Sequence, residues 1–196
     1  METLVKANGL ALSIHARHAC NIANHHKKWE LRKNINVAWA RRQIEKNGGF
    51  YCLMYVTRGE DSLIKNIING KYHVSKNFFE DFEENYYGLV AGMFWCDSIK
   101  CFEYETISRD MDGYWFDDGK AVDKTFLAEC CVKDEDFRKY YKCGKGVALH
   151  VSGIKMFPKP MKLIDILRVT VNGCIYHSEI APQSWCYTLV QKGMGE

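Results

Sequence analysis

Proline is scarce, three residues in 196, which excludes Pro-rich linkers and collagen-like repeats. No apolar run reaches the roughly 18 residues of a membrane helix. The N-terminus also lacks the basic-then-apolar pattern of a secretory signal. A soluble, cytoplasmic protein is the expectation. Metal signatures are missing too. There are nine cysteines but no CxxC; the closest spacings are the adjacent Cys130-Cys131 and the pair Cys96 and Cys101, and neither is a zinc knuckle. Most lie in apolar runs, such as Cys52 in FYCLMYV and Cys186 in SWCYTLV, and read as reduced core thiols. No His-x-His or His-Glu-x-x-His spacing occurs, so no metal site is expected. Neither a P-loop nor a serine elbow is present, and Gly144-x-Gly146 lacks a third glycine. That excludes P-loop hydrolysis and leaves no signal for a cofactor.

What is there suits a packed domain. Hydrophobic residues make up 47%, charged 26% and aromatic 13% of the chain, enough for a core and against disorder. The length predicts a single domain over residues 1–196, with an inserted helical and acidic segment around residues 60–87. The net charge of +3 conceals a segregation. Residues 1–70 carry 11 basic against 5 acidic side chains, residues 71–136 carry 7 against 16, and residues 137–196 carry 9 against 3. A basic beginning and end around an acidic middle points to an anion such as nucleic acid, or to a solvated mixed surface.

Periodicity gives the outline. LALSI at Leu10–Ile14 alternates as a strand, and Ala16, Ala19, Cys20 and Ala23 follow at helical spacing. Lys28–Arg32 then reads as a strand with Trp29 and Leu31 on one face and Lys28, Glu30 and Arg32 on the other. A helix is expected over 37–46, stopped by Asn47-Gly48-Gly49. Phe50–Thr57 is a strand buried on both faces. A short helix is expected over 62–69. Tyr87–Glu105 holds one bent strand or two, with Gly92 at the bend. Further expectations are a helix over 125–141, a strand over 146–156, and a chain break at Pro158 and Pro160 before a short helix near 163–167. A last strand is expected over 184–190. The whole is α+β, a barrel closed by its terminal strands with short peripheral helices.

Several residues stand out as candidates. Glu30 and Arg32 sit about 7 Å apart on one strand face. Such a pair reads a base, with Arg as bidentate donor and Glu as acceptor, or it is a structural ion pair. His25-His26-Lys27-Lys28, with Arg17, Lys33, Arg41 and Arg42, is the densest basic stretch and offers contacts to backbone phosphates. Trp29 and Trp39 interleave with it; Trp29 is expected in the core. Ser184-Trp185 falls near Ser13 if the termini meet, as a pocket wall or a barrel plug. The acidic stretch Glu80–Glu84, with Phe79 and Phe82, reads as a solvated helix face or a contact for a host protein.

The order of these features resembles one known family. LALSI, a helix, then HHKKWELRK resembles the opening of ASCH domains, a branch of the PUA-like β-barrel superfamily. Gly88–Phe94 (GLVAGMF), Lys142–Pro160 and Ala181–Tyr187 (APQSWCY) are similar to stretches of its phage and prophage members. The resemblance implies a PUA-like barrel that binds nucleic acid, RNA before DNA, or a modified nucleoside. The site would comprise Lys27, Lys28, Glu30, Arg32, Lys33, Arg41, Arg42, Ser184 and Trp185. One branch hydrolyses N4-acylated cytidines with a Lys, a Thr and a Glu. On that pattern Lys27 matches the lysine, Glu30 stands where the threonine would be, and Glu129 aligns loosely with the acid. Losing the hydroxyl removes the expected acyl acceptor, so binding is favoured. The alternatives are a small hydrolase acting on a modified base through Lys27, Glu30 and Glu129, or a phage protein that binds a host protein.

Overall fold

A computed structural model describes residues 7–57, 82, 84–108, 111–191 and 194. The chain opens with β1 (Gly9–His15), α1 (Ala16–Ala23), β2 (Trp29–Arg32), α2 (Val37–Asn47) and β3 (Phe50–Thr57). After the segment that includes the expected 62–69 helix and most of the acidic stretch, both outside the described residues, come β4 (Leu89–Cys96), β5 (Ile99–Ser108) and β6 (Met111–Phe116). Helices α3 (Lys124–Glu129) and α4 (Asp134–Tyr141) precede β7 (Lys145–His150), β8 (Ser152–Lys162) and a 3-10 turn at Leu163–Asp165. Strands β9 (Arg168–Val169), β10 (Ile175–Tyr176) and β11 (Trp185–Thr188) complete it.

The strands form two sheets, ordered β10-β9-β11-β1-β3-β4-β8 and β2-β7-β5-β6. The terminal strands meet as expected, with β1 antiparallel to β11 and Leu12 opposite Trp185. The described strands nevertheless leave both sheets open, with no ring of hydrogen bonds closing the barrel. Between the sheets lies the main core, where Leu10, Leu12 and Ile14 of β1 meet Cys52, Met54, Phe94, Val147 and Leu149. Alternation along β1 sends Ala11 to the other face of the large sheet, with Leu53, Phe157 and Ile166. The other face of the small sheet buries Trp29, Phe102 and Tyr114 under Phe126, Phe137 and Tyr141 of α3 and α4.

Three expectations change. The single helix over 125–141 is two, because Cys131 takes a left-handed φ of 53°. Its successor restarts on Asp134, Glu135 and Asp136, which suit the positive end of a helix. The single strand over 146–156 is also two. Lys145–His150 pairs with β2 and β5 in the small sheet, whereas Ser152–Lys162 joins β4 in the large one. Val151 turns its N–H to the Lys28 carbonyl at 2.8 Å between them. Finally, Pro158 and Pro160 lie inside β8 and do not break it. As an edge strand β8 has one side free of ladder bonds, where a missing N–H is tolerated. The β4–β8 register does shift at Val90/Gly92. A Cβ on Gly92 would come within 2.5 Å of the Lys155 carbonyl.

Candidate functional site

The turn after α1 is wound inward by its backbone. Asn21 accepts from the N–H groups of both His26 and Lys27, and His25 adopts a φ of 60°. This leaves His25, His26 and Lys28 exposed and sends Lys27 inside, 2% exposed. Its ammonium donates to the carbonyl of Cys130, at the end of α3, and stands 3.5 Å from Glu30 Oε2. On β2, Glu30 and Arg32 point the same way, as their spacing predicts. Glu30 Oε1 lies 2.8 Å from Arg32 Nη2. Arg32 Nη1 donates to the carbonyls of Ser13 (2.9 Å) and Ser184 (3.2 Å). Arg32 therefore ties the small sheet to the adjoining ends of β1 and β11.

Two residues of α1 complete the cluster. Arg17 is buried and donates to the Cys131 carbonyl at 3.3 Å. Half-buried His18 turns Nδ1 inward, without a partner. Burial holds its pKa well below the usual histidine value, and the charges of Lys27, Arg17, His15 and Arg32 push the same way. From α4, Tyr140 and Tyr141 come near. Burial lifts both phenols, and Glu30 adds to the rise in each. The Tyr141 hydroxyl is buried and unpartnered.

Among the described residues the buried charged side chains are Arg17, Lys27, Glu30, Arg32 and Arg168. Four of the five belong to this cluster: three cations around one carboxylate. Arg17 Nε, Arg32 Nε and Nη2, and Glu30 Oε2 lack hydrogen bonds. At Arg32 Nη2 the 2.8 Å approach to Glu30 is an ionic contact whose N–H direction misses the oxygen. Burying surplus charge with unpartnered donors is unfavourable for a fold on its own account, and such concentrations mark functional sites. The arrangement can receive an anion or an acceptor-rich edge.

The structure thus brings Lys27, Glu30 and Arg32 together, with the Ser184 carbonyl at their edge. Glu129 is held elsewhere: Lys28 Nζ reaches it at 2.9 Å and Trp29 Nε1 at 3.1 Å. The Lys28 hydrogen bond keeps the Glu129 carboxyl below its usual range, against partial burial. Lys33 is exposed, its ammonium 4.5 Å from the Tyr140 ring. Arg41 leaves the cluster for Asp117, at 2.8 Å, and Arg42 is exposed on α2. Trp185 packs edge-on against Tyr187. Trp29 is core, as expected, and Trp39 meets Phe50 and Tyr187. Arg17 was read from sequence only as part of the basic stretch, and His18, Tyr140 and Tyr141 were not among the site residues read from sequence. Arg17 and Asn21 are a turn apart on α1, and both are buried. All nine cysteines are free, five of them buried. Among the described residues no three His, Cys, Asp or Glu side chains gather to hold a metal, and no helix is long and apolar enough to cross a membrane.

No family model and no curated protein matches the chain. Solved structures do. The ASCH protein of Zymomonas mobilis is similar at 14% identity, over 94% of this chain and 89% of its own, with a TM-score of 0.51. A Tyr-to-Phe variant of that protein gives 13%, 94%, 91% and 0.50. A Ser-to-Ala variant gives 12%, 95%, 90% and 0.51. The chain has the α+β fold of these ASCH structures, two open sheets with short peripheral helices.

Proposed function

We propose that this chain binds nucleic acid, single-stranded RNA before DNA, or a modified nucleoside, in the cleft where Arg17, Lys27, Glu30 and Arg32 meet. The observation that carries the reading is the buried surplus of cations: three against one carboxylate, with guanidinium donors left unpartnered. A phosphate supplies the missing acceptors, and Glu30 accepts from a base amine. Exposed His25, His26, Lys28 and Lys33 flank the cleft in sequence and add contacts to further phosphates. Binding is favoured over hydrolysis because Lys27 is already engaged by Cys130 and Glu30, while Glu129 is engaged by Lys28 and Trp29.

The test is titration of a labelled single-stranded RNA at rising salt. Affinity should fall steeply as salt displaces phosphate contacts. Arg17→Met keeps the length of the side chain and removes its donors, so it should weaken binding about tenfold or more, the usual worth of a charged hydrogen bond. Arg42→Ala, at an exposed helix position, should change it far less. No binding at low salt, or equal effects of the two variants, would refute the assignment.

A further inference from the structure

A cavity of about 330 Å³ opens on the face of the small sheet that also carries Glu30 and Arg32, one strand row beyond Arg32. Its floor is a cross-strand row: Lys145 of β7 stands opposite Glu103 of β5, which stands opposite Trp115 of β6. Glu105 and Lys33 also line it, and the Arg41–Asp117 pair lies at its edge. Its volume is at the small end of ligand sites.

Three features of this cavity are unexplained by the fold. The indole N–H of Trp115 is buried and has no acceptor, an unfavourable state for a donor. Among the described residues neither Glu103 nor Glu105 has an ion-pair partner, although Lys145 faces Glu103 in register. Space continues past the indole as well. Gly113 stands opposite Glu105, and a Cβ there would meet only Trp115 Nε1, at 3.9 Å. An aromatic wall, a free carboxylate and a lysine on either side make one pattern. It fits a flat ring with two adjacent donors, linked to an anion.

We infer that this cavity is a guanine nucleotide subsite, extending the binding proposed above to a second nucleotide, a step that rests on that reading. Guanine is the base whose N1–H and N2–H lie side by side for one carboxylate. Glu103 accepts both, the ring stacks on the indole, and Lys33 or Lys145 meets the phosphate.

The experiment is calorimetric titration of the full chain with GMP, IMP, AMP, CMP and UMP. GMP should bind at least about tenfold more tightly than IMP, which lacks the N2 amine, because a good bidentate contact is worth that much or more. Glu103→Gln, at an exposed position that the fold does not need, should erase the difference between GMP and IMP with an unchanged melting temperature. Absence of GMP binding, equal binding of all five, or a preference that survives Glu103→Gln would overturn the subsite. Arg17→Met separates the two proposals. If it weakens RNA and spares GMP, both stand. If RNA binds and is weakened but GMP never binds, the subsite falls and the cleft remains. If GMP binds with the stated preference while RNA does not, the subsite stands as a mononucleotide site and the cleft reading falls.

Discussion

Two guanidinium–carboxylate contacts of equal length stand in opposite surroundings. Arg32 approaches Glu30 to 2.8 Å with both side chains 6% exposed, and Arg41 approaches Asp117 to 2.8 Å with 54% and 51% exposed. Distance alone would rank them together. At the surface water solvates each partner apart as well as together, so the pair is worth about 0–1 kcal/mol. Inside, neither group can turn to water if the other leaves. The buried pair also bonds backbone: Arg32 holds the carbonyls of Ser13 and Ser184. Among the described residues Arg41 reaches only Asp117 and, at 3.9 Å, the Cys101 sulfur. The exposed arginine is an ornament of α2; the buried one joins two sheets.

The largest expected effect follows from this contrast. Arg32→Ala strips Glu30 of its nearest cation and frees two carbonyls. It should lower unfolding free energy by about 3–5 kcal/mol, the range for breaking a buried pair from one side. Denaturant unfolding measures it, and a loss below about 1 kcal/mol would show that the pair is wetter than its burial indicates. A harder test replaces Lys27, Glu30 and Arg32 together by Met. Removing all three charges leaves none uncompensated within the trio, so much of the loss should return. If the triple variant is as stable as the natural chain yet no longer binds RNA, the cluster is kept for its ligand and not for the fold.

How far the sequence reveals these things depends on where the deciding physics lies. β3 was legible to its ends because Phe50–Thr57 is apolar on both faces and α2 stops at Gly48, with a φ of 74°. The Glu30–Arg32 pair was legible from a period of two. The break between α3 and α4 was not, since Cys131 takes a left-handed turn that neither glycine nor asparagine announces. The split at Val151 was hidden too, because apolar alternation continues while the strand changes sheets. Arg17 and His18 join the site through the packing of α1 across Cys131 and Lys27, a contact 114 residues apart in sequence for Arg17. Local patterning carries no trace of that. The pairing of Arg41 with Asp117, 76 residues on, was equally invisible and took Arg41 out of the buried cluster.

An intermediate effect, dependent on pH, sharpens the buried side of the comparison. Burial, with Lys27 and Arg17 beside it, depresses the His18 pKa well below 6.5. In the unfolded chain the same imidazole takes a proton as pH falls through about 6.5. Below that value the unfolded state holds one more proton than the folded one. Stability is therefore full above pH 6.5 and falls as pH drops toward the folded pKa, by up to about 1.4 kcal/mol per pH unit for one site. His18→Gln removes the titration and should flatten this part of the melting curve against pH. An unaltered slope between pH 6.5 and 5 would show that His18 reaches water freely and that the surplus charge of the cluster does not act on it.

The smallest effect is expected at the exposed pair, where the prediction is close to a null. Arg41→Ala and Asp117→Ala should each change stability by less than about 1 kcal/mol, and a double-mutant cycle should give a coupling of about 0.2–1 kcal/mol. The coupling should shrink in high salt, because both groups are solvated and screened. The contact still matters for the cavity beside it, since Arg41 and Asp117 stand at its edge. Releasing Arg41 adds an unpaired cation near Glu103, and releasing Asp117 adds an unpaired carboxylate. GMP affinity should therefore respond to the two substitutions with opposite sign even while the melts barely move. Asp117→Ala frees a guanidinium for the phosphate and should strengthen GMP binding. Arg41→Ala leaves Asp117 to repel the phosphate and should weaken it. Equal shifts in both, or a coupling as large as that of the buried pair, would collapse the distinction between the two arginines.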